Sequence, residues 1–340
     1  MRTHQVLAFF VAAVVRLHGQ DLYRVCEKYK NIPIPHADRP TAAQATELAT
    51  CTSSDLYYGV HVPPDPVRAR QCAYLEMDGG TKPDQLIFLG RDLPRSLGSA
   101  ILIMIYANGR GVSRNFDLTL RFACESGAGG EMAIVPRLEE LQAQNWQGSD
   151  FDLCSEPGIL ATTDCRLLAA RMKESASRDK LNAIVSKWSA SDKSEFAKVE
   201  ITVEEFFASR TYVECDMLSA NYNRYAVEVY AELVDGLASA LARFEEGAMP
   251  RITHTDAVNA DVELNRVYAV AIKQRRERDR KSPRGWPRNY ENELRKTERL
   301  WLAYLVSWLS FAHQKYPGVN EDSWRGWLIQ ERIAQMRLQM

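Results

Sequence analysis

ELRKTERLWLAYLVSWLSF, residues 293–311, places Trp301, Tyr304, Trp308 and Phe311 three or four positions apart, directly behind a cluster of alternating charges. That spacing is the period of an α-helix, so the four rings share one face. With Leu294, Leu305 and Val306 they form an apolar stripe wide enough to pack on a partner helix. Burial of each ring contributes roughly 2–3 kcal/mol at about 25 cal/mol per Å². Left in water, a stripe this large would promote aggregation. The stretch is therefore expected to be the inside of a helical bundle and not a ligand platform. The ring expected outside the bundle is Trp286, which sits between arginines in the proline-bearing loop RGWPRN, 284–289.

Upstream, the same pattern occurs once more. DKLNAIVSKW (179–188) is echoed by DVELNRVYAV (261–270), and SEFAKVEITVEEFFASRTY (194–212) by NELRKTERLWLAYLVSWLS (292–310). Phe196 then aligns with Leu294, Glu200 with Glu298, Val203 with Trp301 and Phe206 with Tyr304, a spacing of 98 residues. Both copies carry an aromatic stripe at helical period, so one physical task is expected to be done twice.

The first half of the chain reads as paired helices from Thr41 to about Gln144. TAAQATELATCTSSDLYYG ends at Gly59, a C-cap, and HVPPDP leads into VRARQCAYLEM with Pro66 at the helix start. A second round follows, in which LGSAILIMIYANGRGV gives way to SRNFDLTLRFACESGAGG. Two rounds of helix, glycine-bearing turn and helix make an internal repeat of roughly 45–60 residues, a period typical of stacked helical units. NGRGV joins two helices and lacks the Lys-Ser/Thr of a phosphate loop, so it is expected to be a structural turn. GAGG at 127–130 is expected to terminate a helix. Near Gln147, NWQGSDFDLCSEPG reads as the connection to the second half.

The two rounds resemble Sel1-like repeats. The likeness rests on LIMIYANGRGVSRNFDLTLRFACESGA (102–128), with Asn108, Gly109, Gly111 and Val112 in its turn, and on the more divergent DLYYGVHVPPDPVRARQCAYLEMDGG (55–80). It implies an α-solenoid scaffold for protein binding. The second half resembles the lysozyme inhibitor LprI-like N-terminal family. Asp261, Leu264, Asn265 and Tyr268 carry that likeness together with Leu294, Arg295, Glu298, Trp301, Leu302 and Tyr304. Cys154, Cys165, Leu181, Asn182, Phe206 and Cys215 match more weakly in the first copy. The chain departs from the family at Leu305, where an arginine is usual, and the second copy has no cysteine. This resemblance implies an exported helical module and, as partner, a lysozyme-like cell-wall hydrolase.

The fold expectation is all-α, a short Sel1-like repeat region followed by two LprI-like bundle modules. Its parts are a signal peptide at 1–20, the repeat region at 21–148, the modules at 149–249 and 250–313, and a helical tail at 314–340. Arg2 and His4 precede VLAFFVAAVV, whose ten apolar residues are too few for a span that needs about 20. The pattern is that of a secretory signal, leading to the periplasm or the exterior, and no later stretch reads as a membrane anchor.

Seven cysteines, none in a CxxC or CxxH pair, argue against zinc. In an exported chain disulfides are the default, and an odd count leaves one thiol over. The most local candidates are Cys51 with Cys72 and Cys154 with Cys165, and the pairing of Cys26, Cys124 and Cys215 stays open.

Without residues 1–20 the chain holds 41 basic and 44 acidic side chains, which argues against nucleic acid as partner. Locally the charge is uneven. Residues 192–216 hold seven acids against three bases, and residues 273–299 hold eleven bases against five acids. Glu200, Glu204, Glu205, Glu214 and Asp216 are the candidate contacts to a cationic protein. Arg284, Trp286 and Arg288 are the candidate contacts to an anionic polymer. No GxSxG or HExxH occurs and the six histidines are scattered, so no catalytic residue and no cofactor are expected. The alternative class is an envelope enzyme or accessory protein acting on cell-wall polymer through the basic loop.

Overall fold

The helices announced by the sequence are present in a computed structural model of the chain. It describes residues 24–79, 96–125, 134–146, 150–156, 163–213, 222–281 and 289–338. Among these residues every regular element is helical, so the chain is all-α. It divides into two compact units, residues 1–172 and 173–340, each with its own apolar core. The sequence expectations for residues 1–20, GAGG at 127–130 and Cys215 lie outside the described residues.

The first unit is built from α1 (Ala42–Glu47), α2 (Ser53–Tyr58), α3 (Pro66–Met77), α4 (Ser96–Asn108), α5 (Phe116–Glu125) and α6 (Val135–Ala143). From Ile101 to Ala107 every side chain of α4 is buried. A helix apolar on all sides can lie only in the middle of a unit, and α4 packs against α2, α3 and α5. At Gly98 a Cβ would come within 2.5 Å of the Ala73 carbonyl oxygen, so glycine lets α3 and α4 approach closely.

The two rounds share one turn geometry at an offset of fifty positions. Gly59 and Gly109 both sit in the left-handed region and bond back to the carbonyls of Asp55 and Ile105. The amides of Asp65 and Asn115 bond to the carbonyls of Leu56 and Tyr106 at 2.7 and 2.9 Å. The Asp65 and Asn115 side chains then cap α3 and α5 by accepting from the amides of Arg68 and Leu118. His61 and Gly111 also correspond, both at positive φ.

Three disulfides staple this unit, Cys26–Cys124, Cys51–Cys72 and Cys154–Cys165, with Cα–Cα distances of 5.4, 6.1 and 5.4 Å. The two local pairs are those expected from the sequence. The three bonds are consistent with an oxidising, extracytoplasmic setting. Among the described residues no helix is long and apolar enough to cross a membrane.

Helix α7 (Thr163–Ser186) leads into the second unit, which continues with α8 (Ala190–Val213), α9 (Tyr222–Glu245), α10 (His254–Lys281), α11 (Tyr290–Lys315) and α12 (Glu321–Arg337). Helices α8 and α11 run antiparallel, with Glu195 beside Ser310, Thr202 bonded to Ser307 and Ser209 bonded to Thr297. Leu294, Trp301, Tyr304, Leu305, Trp308 and Phe311 are all buried, as expected of a bundle interior. Val306 is the exception at 66% exposure, because it lies on the far side of the helix from Trp308 and Tyr304. Phe196, Val203 and Phe206 of the first copy are buried in the same core. The corresponding rings of the two copies, Phe206 and Tyr304, stack with centroids 6.0 Å apart.

Only the first unit can hold internal disulfides, since Cys215 is the sole cysteine of residues 173–340. The Cys26–Cys124 bond alone, closing 98 residues, constrains the unfolded chain by about 4–5 kcal/mol. Reduction is therefore expected to abolish amide-exchange protection in peptides from 24–156 while leaving peptides from 190–338 protected. Equal loss in both units, read by exchange mass spectrometry, would contradict this division.

Candidate functional site

On α8 the core positions Phe196, Val199, Val203, Phe206 and Phe207 turn one face inward; Glu200 and Glu204 flank that face, and Glu205 lies on the far, exposed side. The three carboxylates have different environments. Glu204 is clasped: its carboxylate accepts from the Tyr230 hydroxyl of α9 and lies 2.9 Å from the Arg178 guanidinium of α7. Arg178 also donates to the Tyr230 oxygen at 2.7 Å and to Glu174. Burial, and then the bond to Glu204, pushes the Tyr230 hydroxyl well above the usual tyrosine range. Glu204 thus ties three helices together.

Glu200 is half-buried, with no ion-pair partner among the described residues. Burial, and then the neighbouring Glu204 carboxylate, raises its carboxyl above the ordinary glutamate value. Glu205 is exposed and likewise has no ion-pair partner among the described residues. Glu214 and Asp216, and the candidate anionic-polymer contacts Arg284, Trp286 and Arg288, lie outside the described residues. Of the acidic set, the structure therefore brings Glu200, Glu204 and Glu205 together on one and a half turns of helix.

A second polar cluster, which sequence reading missed, lies in the first unit. The Glu76 carboxylate accepts from the Ser53 amide at 2.8 Å and from the Ser53 hydroxyl at 2.5 Å. Asp55 is paired with Arg171 beside it. A serine touching a carboxylate invites a catalytic reading, but Ser53 is fully buried and its amide is the first of α2. Glu76 instead satisfies an otherwise orphaned helix amide. Among the described residues no group of three or more His, Cys, Asp or Glu side chains is placed to hold a metal ion.

No family model, no curated protein and no solved structure matches the chain.

Sequence signals for these contacts were partial. The Glu174–Arg178 spacing of four on a helix announces an ion pair. Nothing in the spacing announces that Tyr230 closes it, because that contact is made across 26 and 52 positions of chain.

Burial pushes the Glu76 carboxyl up to about 7 from an ordinary 4.5. The folded chain therefore binds this proton more tightly than the unfolded one. Its contribution to stability is full below pH 4.5 and falls by up to about 3 kcal/mol as the pH climbs through about 7. Glu76→Gln should abolish that slope, so the variant gains on the parent between pH 5 and pH 8 in urea unfolding of the first unit. A difference that does not change with pH would contradict the assignment.

Proposed function

We propose that this chain is an exported helical binding protein, delivered to the periplasm or the exterior by its N-terminal signal, and that α8 of its second unit docks a cationic protein. Supporting this reading is the run of carboxylates at Glu200, Glu204 and Glu205, of which only Glu204 is neutralised from within. Like charges one turn apart on a helix are destabilising by a few tenths of a kcal/mol. A basic partner would relieve that repulsion on docking. The three disulfides suit an exported chain. The LprI-like pattern in Asp261, Leu264, Asn265, Tyr268, Trp301 and Tyr304 names the partner class, a lysozyme-like cell-wall hydrolase. The Sel1-like pattern assigns the first unit a scaffold role.

An interaction led by surface charge forms quickly at low ionic strength and weakens with salt. The purified, oxidised chain lacking residues 1–20 is expected to inhibit a c-type lysozyme stoichiometrically at low salt and less well at high salt. Glu200→Gln with Glu205→Gln should weaken inhibition by about tenfold at low salt with no fall in unfolding midpoint. Absence of inhibition at micromolar excess, or inhibition indifferent to both salt and the double substitution, would sink the proposal.

A further inference from the structure

The α10–α11 hairpin bears a cation array that its own acids do not balance. From Lys273 to Lys281, α10 carries six basic and two acidic side chains, and Arg295, Lys296 and Arg299 follow on α11. Two of the nearby acids have internal roles. Asp279 accepts the backbone amides of Tyr290 and Glu291 at 2.9 and 3.1 Å, so it caps the start of α11. Glu291 bridges Arg276 and Arg295, and those two guanidinium groups hold its carboxyl down to about 2. Lys273, Arg280, Lys281, Lys296 and Arg299 then remain with no ion-pair partner among the described residues. The helix dipole accounts for cations in the last turn of α10, but not for Lys273 or Arg299, which lie more than a turn from any helix end.

Aliphatic side chains stand in water on the same two helices. Val262 is 65% exposed and Val306 66%, and Val258 and Leu302 are about half exposed. Single exposed valines are ordinary, but these four share a level of the hairpin. Arg276 meets Glu291 and Tyr268 lies beside Arg295, so the antiparallel course brings Leu302 and Val306 alongside the stretch of α10 that holds Val258 and Val262. The hairpin thus has a basic end near the connector and an aliphatic end beyond it.

We infer that this hairpin is a peripheral docking surface for an anionic lipid bilayer. An array spread over two adjacent helices, with aliphatic groups beside it, fits a sheet of headgroups and acyl chains. A linear polyanion needs only one row of cations and no apolar neighbours. The contact is superficial, since no described helix is long and apolar enough to span. The surface is carried by α10 and α11 and the carboxylates by α8, and the vesicle test substitutes none of the residues on which the inhibition test depends.

The test is co-sedimentation of the full oxidised chain with phosphatidylcholine vesicles, alone and with about 30 mol% phosphatidylglycerol. Binding is expected only to the anionic vesicles and should be reversed by about 0.5 M salt. At about fivefold per cation, Lys273→Gln, Arg280→Gln and Arg299→Gln together should lower partitioning roughly 100-fold. Val262→Ser with Val306→Ser should lower it several-fold. Circular dichroism confirms that each variant is folded. Three results would overturn the inference: binding to neither vesicle, equal binding to both, or anionic binding untouched by the triple substitution. Soluble polyphosphate bound as tightly as the vesicles and unaffected by the valine changes would assign the array to a polymer instead.

Discussion

The burial of Trp308 is the interaction on which the second unit depends. Its ring lies within 6.3 Å, centroid to centroid, of Phe244, Tyr304, Phe311, Trp324 and Trp327, drawn from α9, α11 and α12. Side chains from three helices meet on one ring. The indole N–H groups of Trp308 and Trp324 are buried with no hydrogen-bond partner among the described residues. Each such group costs about 1–3 kcal/mol. The cluster persists because the apolar area removed from water around several large rings outweighs that cost.

From that core the difference between the two units follows. Helices of 17–28 residues in the second unit bury long continuous faces, and the unit needs no internal disulfide. In the first unit the helices that pack around α4 run to only 6–12 residues. Short helices are marginal by themselves. Covalent closure by Cys26–Cys124 and Cys51–Cys72, together with two matched glycine turns, supplies order that helix length does not. The second unit also separates its charge: carboxylates gather on α8 and cations on α10, while α11 packs against both helices.

Helical period was legible in the sequence because it is a local property. Phe206 and Tyr304, matched in the sequence at a spacing of 98 positions, stack on each other within one core. Val306 was grouped with the apolar stripe by composition, yet its place on the helix turns it to solvent. Spacing along α11 decides which of two adjacent residues, Leu305 or Val306, is inside. The turn at Gly59 and Gly109 could be read from glycine alone, whereas His61 at positive φ could not, since histidine carries no such signal. Cys26–Cys124 and the Tyr230 clasp on Glu204 were also hidden, because each joins residues brought together only by the folded bundle. The separate fates of Glu200, Glu204 and Glu205 could be read only from that packing.

The central claim is that the aromatic stripe of 293–311 is the inside of the bundle. Urea unfolding of Trp308→Ala, followed by far-ultraviolet circular dichroism, tests it most directly. Loss of a fully buried tryptophan should lower the stability of the second unit by about 3–5 kcal/mol. A loss below about 1 kcal/mol, the range of an exposed ring, would contradict the account and return Trp308 to the surface.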